Sequence, residues 1–482
     1  MAWQWRRVTG HTNAGKHLSR TLLCAGVLAT AACTSIEPVD RSLYHQAETL
    51  QNLAHNQPEI DGPLSLEEAL ARGFSYNPTF QTQRLKAFQA LNEVGLSQAE
   101  YLPRATAAIG AVRRSNVQAS VGQSVDDMGN DLPTDFFTAS DQSRTYGNLS
   151  ASWNLIDFGV SYLENEKQKR LAENEQETAR ISCAALSGEI VEAFWRAKAY
   201  DRAEAKNKWL KWRINTALAL AADRAEITPE LRAGELLLQR ELIDLFRWYD
   251  SIYVSLSGSK AQLASLINLP AGVQFSLDDE QPVAYLNDLP ESDIELVKLA
   301  FLNRPELRQR LLFDEVHQIS GRQDFVRLFP SLSILFGAEQ DSNSFLLNNS
   351  FSSIGASLSW NLYDLARSGE RRQKNEDRTD FLKLETEIVA SAIASQVAMA
   401  INEYRARNAT LEYAWRANTI QAEIASDMQA AFERGEMPET YYIKEELLRE
   451  LSIIRRDVDE AGHQAARMRV LNALGLGPDC QQ

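Results

Sequence analysis

Between Val160 and Pro229 the chain has no proline and only one glycine, Gly188, and between Glu370 and Arg434 it has neither. The residues that end helices are missing over lengths that no ordinary globular domain needs, since a mean helix is about three turns. At 1.5 Å per residue the second stretch alone would span roughly 100 Å. Cysteine is scarce too. Of the 4 in the chain, Cys24 and Cys33 fall near the N-terminus, which leaves Cys183 and Cys480 and predicts no disulfide framework. The 6 histidines are scattered: His11, His17, His45 and His55 lie in the first 55 residues, and His317 and His463 have no Cys or His at ligand spacing, so no metal site is expected. Nucleophile elbows, Gly-rich phosphate loops and paired-Cys motifs are absent, so neither a cofactor nor an enzyme is expected. Basic charge is also in deficit. The net charge of −15 becomes −19 without the four basic residues of the leader, which argues against a nucleic-acid partner. Such an excess most often serves solvation, and it would also suit a water-filled conduit that favours cations.

What is present begins with a leader. Arg6, Arg7, Lys16 and Arg20 precede an apolar run over residues 22–32 that is too short to span a bilayer, and no later stretch reads as a transmembrane helix. The run ends in Leu28-Ala29-Thr30-Ala31-Ala32-Cys33, which resembles a bacterial lipoprotein signal. That resemblance implies a signal peptide over residues 1–32, lipidation at Cys33, and a lipid-anchored tether over residues 33–62. Thr30 stands where an aliphatic residue is usual, which leaves ordinary cleavage nearby open. No Asp follows Cys33, and by the same resemblance this permits export to the outer membrane.

The chain then repeats itself. Ser152-Trp153-Asn154-Leu155-Ile156-Asp157 returns, one residue changed, as Ser359-Trp360-Asn361-Leu362-Tyr363-Asp364. Upstream of each copy stands a pair of prolines 25 residues apart, Pro78 with Pro103 and Pro305 with Pro330. A period above 200 residues is too long for a solenoid and predicts two copies of one large helix-strand-strand-helix unit. The units are expected over residues 63–272 and 293–478, with a linker over 273–292 and a tail over 479–482.

Around each motif the polarity alternates. Leu149, Ala151, Trp153 and Leu155 share one parity against Asn148, Ser150, Ser152 and Asn154; Ile354, Ala356, Leu358, Trp360 and Leu362 alternate with Ser353, Gly355, Ser357, Ser359 and Asn361. Successive strand side chains point to opposite faces, so each segment is a ribbon with one apolar and one small polar face. Partner strands are expected over residues 105–112 and 332–339. Two readings fit: a half-buried sheet with one wet face, or membrane strands of about ten residues with lipid-facing Trp153, Leu155, Leu358 and Trp360. Four strands cannot close a barrel, and lipid tolerates no open edge, so the second reading needs several chains.

The long helices carry packing seams: Ile181, Ala184, Gly188, Val191 and Trp195 in one, Val389, Ile393, Val397, Ala400 and Tyr404 in the other. Such periodicity predicts coiled-coil-like packing. Each helix ends at comparable text, Arg224-Ala225-Glu226-Ile227-Thr228-Pro229 and Arg434-Gly435-Glu436-Met437-Pro438, after which the chain returns in a helix of about 40 residues broken only at Gly234 and Gly258, or at Gly462. These turns are expected to be the tips of two helical hairpins.

Together these elements resemble the TolC-type outer-membrane efflux proteins over almost all of the mature length. The resemblance rests on Leu64-Ser65-Leu66-Glu67-Glu68-Ala69-Leu70 leading to Asn77-Pro78, on Tyr101-Leu102-Pro103, on both Trp-Asn-Leu-x-Asp motifs, on the two tips, and on the duplication. It implies a mainly α chain with a transmembrane β part: a homotrimer whose twelve strands form one barrel in outer-membrane lipid, continued by a periplasmic α-helical tunnel of roughly 100 Å. Helical stretches over residues 66–100 and 294–325 would surround that tunnel. It further implies an exit duct that meets a periplasmic adaptor protein and an inner-membrane pump through its tips, at Arg224, Ile227, Arg434 and Gly435, to export small molecules. An outer-membrane component of type I protein secretion is the alternative within the family; a periplasmic, lipid-anchored coiled-coil scaffold is the alternative outside it. Two departures stand out. The first strand pair has 50 residues between Pro103 and Trp153 against 30 in the second, so its loop is longer, and Gly159 has no counterpart in Asp364-Leu365-Ala366-Arg367-Ser368-Gly369, which implies a different strand-to-helix joint.

Overall fold

The computed structural model describes residues 57–478, apart from 123, 133–134, 228–231, 271, 280–289 and 291. The expected signal peptide, Cys33 and most of the expected tether, as well as the tail, lie outside the described residues. From Ile60 onward the chain forms one compact unit.

Prolines divide the flanking helices. Residues 66–100 form two helices, α1 (Leu66–Tyr76) and α2 (Pro78–Ala99), and the later stretch likewise gives α6 (Asp293–Asn303) and α7 (Pro305–Val326). Asn77 and Arg304, each before a proline, are held extended at ψ 117° and 123° because the proline ring disfavours the α region there. Proline then opens the next helix, where its missing N–H costs nothing. Asn77 does more: its Oδ1 accepts from Phe80 N at 3.0 Å and its Nδ2 donates to Leu266 O at 2.9 Å.

The glycine- and proline-poor stretches are helices α3 (Leu155–Ile227, 73 residues) and α9 (Ser368–Glu433, 66 residues). At 1.5 Å per residue they run about 110 and 100 Å. Their returns are α4 (Arg232–Leu256) with α5 (Ser259–Leu266), and α10 (Glu439–Ala473). Only Gly258 among the three predicted glycine breaks interrupts a helix; Gly234 and Gly462 lie inside α4 and α10. Three apolar clusters hold these rods together. One joins α1 and α2 to Leu186, Ile190, Phe194 and Trp195 of α3; one joins α3, α4 and α10 through Leu210, Leu242, Tyr249 and Leu447; one joins α6, α9 and α10 through Leu296, Ile393, Val397 and Val470. The seam residues Val191, Trp195, Ile393, Val397 and Ala400 are buried as the spacing predicts.

One 18-residue window within α9 has a mean hydropathy of 1.3, enough by length and composition to cross a membrane, which corrects the expectation that no stretch after the leader reaches that mark. Only 22% of that window is buried; within α9, Ile393, Val397 and Ile401 pack against α6 and α10.

The strands are β1 (Arg104–Arg113), β6 (Ser143–Asn154), β7 (Ser331–Asp341) and β8 (Ser350–Ser359), in one antiparallel sheet of order β1-β6-β7-β8. The longer first loop builds two small ladders of its own, β2 (Ala119–Val121) with β5 (Phe136–Thr138) and β3 (Ser124–Val125) with β4 (Asp131–Leu132). The shorter second loop is fastened to it by Asn343, whose Nδ2 donates to Ala139 O at 2.9 Å and whose Oδ1 accepts from Asp141 N at 3.0 Å.

Candidate functional site: a two-faced sheet and two hairpin tips

The register brings the alternating residues of all four strands onto common faces, since directly opposed residues of an antiparallel pair share a face. One row across the sheet reads Ala105, Ala151, Phe336, Ile354; the next reads Trp153, Ile334, Ala356, and Leu332 faces Leu358. The opposite face carries the row Thr106, Ser150, Gly337, Ser353, with the Thr106 and Ser150 hydroxyls 2.7 Å apart. Leu335 and Phe351 are apolar exceptions on the polar face, and Ser352 is a polar one on the apolar face. Much of the apolar face is exposed, Ile109 at 91%, Ile354 at 74% and Leu358 at 70%, while Ala151, Trp153, Leu332 and Ile334 toward the helices are half-buried. Both edges are open as well, because β1 and β8 each pair on one side only among the described residues.

Of the strand residues singled out from sequence, Trp153 and Leu358 lie in β6 and β8 on the apolar parity. Leu358 is next to the last residue of its strand. Leu155 is not in a strand: it opens α3, because Asn154 turns the chain by accepting from Ile156 N at 2.9 Å and Asp157 N at 3.2 Å. Trp360 lies just past β8, its Nε1 donating to Leu328 O at 3.0 Å. Asn361 caps in the same manner, accepting from Tyr363 N and Asp364 N. The repeated motif is thus a strand end followed by an Asn N-cap and an Asp in the first turn, where the helix dipole favours an anion. The two joints do differ. The first runs straight into α3, whereas the second makes a short helix α8 (Leu362–Ala366), breaks at Arg367 and restarts as α9, with Arg371 paired to Asp364.

At the other end of the rods lie the tips. Arg224 sits in the last turn of α3, and its Nε donates to Glu235 Oε1 of α4 at 2.9 Å. Glu235 is only 2% exposed, so this pair closes the hairpin from inside. Ile227 ends α3; its side chain lies outside the described residues. The second tip is a glycine cap: Gly435, at φ +73°, donates from its N–H to Phe432 O at 2.9 Å, and Glu436 N–H donates to Ala431 O at 3.0 Å. This double bond pattern satisfies the last carbonyls of α9 and requires the left-handed conformation that glycine adopts without strain. Arg434 and Glu436 are exposed and paired in two bonds of 2.8 Å. That pairing holds the Glu436 carboxyl below its usual range and the Arg434 guanidinium above its own.

The two hairpins are also laced to each other by charges that read from sequence as a solvated face. Arg202 meets Asp457 at 2.8 Å, Lys206 meets Glu450 at 3.4 Å, and Arg213 meets Glu446 at 2.6 Å. Lys444 reaches Glu241 of α4 at 3.2 Å. Numbers rise along α3 while they fall along α10, and that antiparallel register was the available signal.

Cys183 is disulfide-bonded, which corrects the expectation that this thiol is unpaired. It is the one cysteine among the described residues, so its partner lies outside them. Cys183 Sγ also lies 3.4 Å from Pro478 O, near the end of the described residues.

No protein-family model and no curated protein matches the sequence. The backbone, in contrast, is similar to those of solved outer-membrane channels. The open state of the Neisseria gonorrhoeae MtrE outer membrane channel superposes with a TM-score of 0.65 at 15% identity, covering 86% of this chain and 91% of that one. The Campylobacter jejuni CmeC outer membrane channel gives 0.63 at 11% identity, covering 90% and 93%. The outer-membrane channel OprN gives 0.61 at 16% identity, covering 86% and 90%. The chain therefore has the mostly helical fold of the TolC-type outer-membrane channels, a fold whose neighbours here are channels and not enzymes.

Proposed function

We propose that this chain is an outer-membrane exit duct: three copies close their sheets into one twelve-stranded barrel, and their long helices continue it through the periplasm. The observation that carries the reading is the sheet itself, apolar and exposed over much of one face, polar on the other, and open at both edges. In lipid an open edge leaves N–H and C=O groups unsatisfied, so the sheet must close with other copies. The polar rows then line a water-filled lumen, and Trp153 and Trp360, at the junction with the helices, take the interfacial level where indole is favoured. The two units, over residues 63–272 and 293–478, are read as a duplication, each giving two strands and one hairpin. Cys33 would anchor the mature chain by lipid, as an addition to the barrel. The disulfide at Cys183 fits an oxidising compartment outside the cytosol.

The tips would dock on a periplasmic adaptor that brings an inner-membrane pump, through Arg224, Ile227, Arg434 and Gly435, and the duct itself would supply no energy, only a closed wet path for small molecules. The test is direct. Protein purified from outer membranes in detergent should have the mass of three chains and should open ion-conducting pores in planar bilayers. A monomer that leaves the bilayer tight would overturn the reading.

A further inference from the structure

The polar face of the sheet carries four charged side chains, Arg104, Arg144, Glu339 and Asp341. Arg144 and Asp341 offset each other in a pair of 3.0 Å. That leaves Glu339 exposed toward the loop end and Arg104 exposed toward the helices. One row across this face reads Ala108, Asn148, Glu339, Phe351. Glu339 and Phe351 are directly opposed, which sets their Cβ atoms about 5 Å apart. Phe351 is 52% exposed, an aromatic ring where the alternation calls for a small polar residue. In the next row toward the loops Tyr146 lies over Gly110, its ring filling the space that a side chain there would need. Beyond these rows the first loop, over residues 114–142, holds five aspartates against one arginine, Arg114.

We propose that Glu339 and Phe351 form a weak site for a monovalent organic cation with an apolar body, at the loop end of the lumen. This rests on the duct reading, in which three copies add three carboxylates and three phenyl rings to one level of the pore. Rings of carboxylates favour cations in pores. The phenyl ring adds what a carboxylate alone lacks: its negative face attracts a cation, and its carbon surface takes the cation's apolar body. Alkali ions keep their hydration shells and gain little from it. Leu335, the other wholly apolar exception on this face, lacks such a partner. Its row is shared with Arg104 through Ser152, so a cation there meets a like charge. Four residues of strand, about 14 Å, separate the two rows. That exceeds the Debye length of about 8 Å at physiological salt, so Arg104 does not cancel Glu339. Arg113, which closes β1, lies on the opposite face. Conduction demands binding weak enough for release, and a solvent-exposed carboxylate with one ring supplies that.

The experiment records currents through the purified full chain in planar bilayers. Benzyltrimethylammonium chloride is the probe, and sodium benzenesulfonate is the anion of similar shape. The cation should reduce the current and the anion should not. Glu339→Gln should raise the half-blocking concentration about fivefold or more and Phe351→Ser about threefold or more, while Arg104→Gln should stay within about twofold of wild type. Current without probe reports the assembly of each variant. Wild type alone supplies a second arm: raising the salt tenfold shortens the reach of the carboxylate field and should weaken the block about threefold or more. Block by both ions alike, block unchanged in Glu339→Gln, or block indifferent to salt overturns the site and leaves the duct standing. A bilayer that stays tight overturns the duct reading, and the site with it.

Discussion

Arg213 Nε donates to Glu446 Oε2 at 2.6 Å, and through this bond α3 of one hairpin holds α10 of the other. Both side chains are mostly buried, 13% and 17% exposed, so truncating one strands the other's charge. Arg213→Ala should cost about 2 kcal/mol, somewhat less than a fully buried pair. Arg213→Glu should cost more, and adding Glu446→Arg should recover most of the loss. Thermal unfolding in detergent measures the cycle; additive single and double effects would mean that the two residues do not act as a pair.

The sheet faces give a second prediction. Ile354 lies mid-strand on the apolar face and Ser353 next to it on the polar face. Ile354→Arg should impair membrane assembly, because a cation near the bilayer midplane costs about 2–4 kcal/mol. Ser353→Arg should assemble and alter conductance only. Outer-membrane fractionation reads both, and equal assembly would remove the lipid assignment of that face.

At the second tip, Arg434→Glu breaks an exposed pair with Glu436 and should leave the quantity of assembled protein unchanged. On the proposed docking, export by cells carrying the variant should fall several-fold, read as accumulation of a small-molecule probe. Gly435 is better left alone, since its φ of +73° maintains the cap and any replacement would mix lost docking with lost turn geometry. Wild-type export by Arg434→Glu would place docking elsewhere.

Acid should act through His463. Burial, and then the nearby charge of Arg467, hold its imidazole below the usual value of about 6.5, and its ring lies 5.2 Å from that of Tyr404. The folded state therefore binds this proton less readily than the unfolded chain. The stability His463 contributes is full above pH ~6.5 and is lost as pH falls through and below that value. Glu460 and Asp459 run the opposite way: burial raises both carboxyls, so the folded state holds their protons more tightly. Thermal melts at pH 7.5 and 5.5 should show a smaller acid loss in His463→Gln than in wild type. An equal loss would clear His463 of the effect.

Much of this molecule can be read from residue order. The absence of glycine and proline foretold α3 and α9, and alternating parity foretold which side chains would share a face. What escaped has physical causes. Leu155 fits the strand parity, yet Asn154 caps a helix one residue earlier, and capping is a side-chain hydrogen bond that alternation does not register. Arg213, Glu446, Arg202 and Asp457 looked like solvated charges because their partners lie more than 200 residues away. Cys183 looked unpaired because spacing along the chain does not say which thiols folding brings together. At the first tip, Arg224 reads in sequence as an end charge, yet it reaches inward to buried Glu235.

On the barrel reading proposed above, the open edges of β1 and β8 also set an order of events. In hydrocarbon each unsatisfied backbone group costs several kcal/mol, and two ten-residue edges present many of them. A solitary chain is thereby barred from the bilayer, while its helices and buried clusters need no lipid to form. Meeting comes before insertion, so the yield in the membrane should depend steeply on how many chains are present at once.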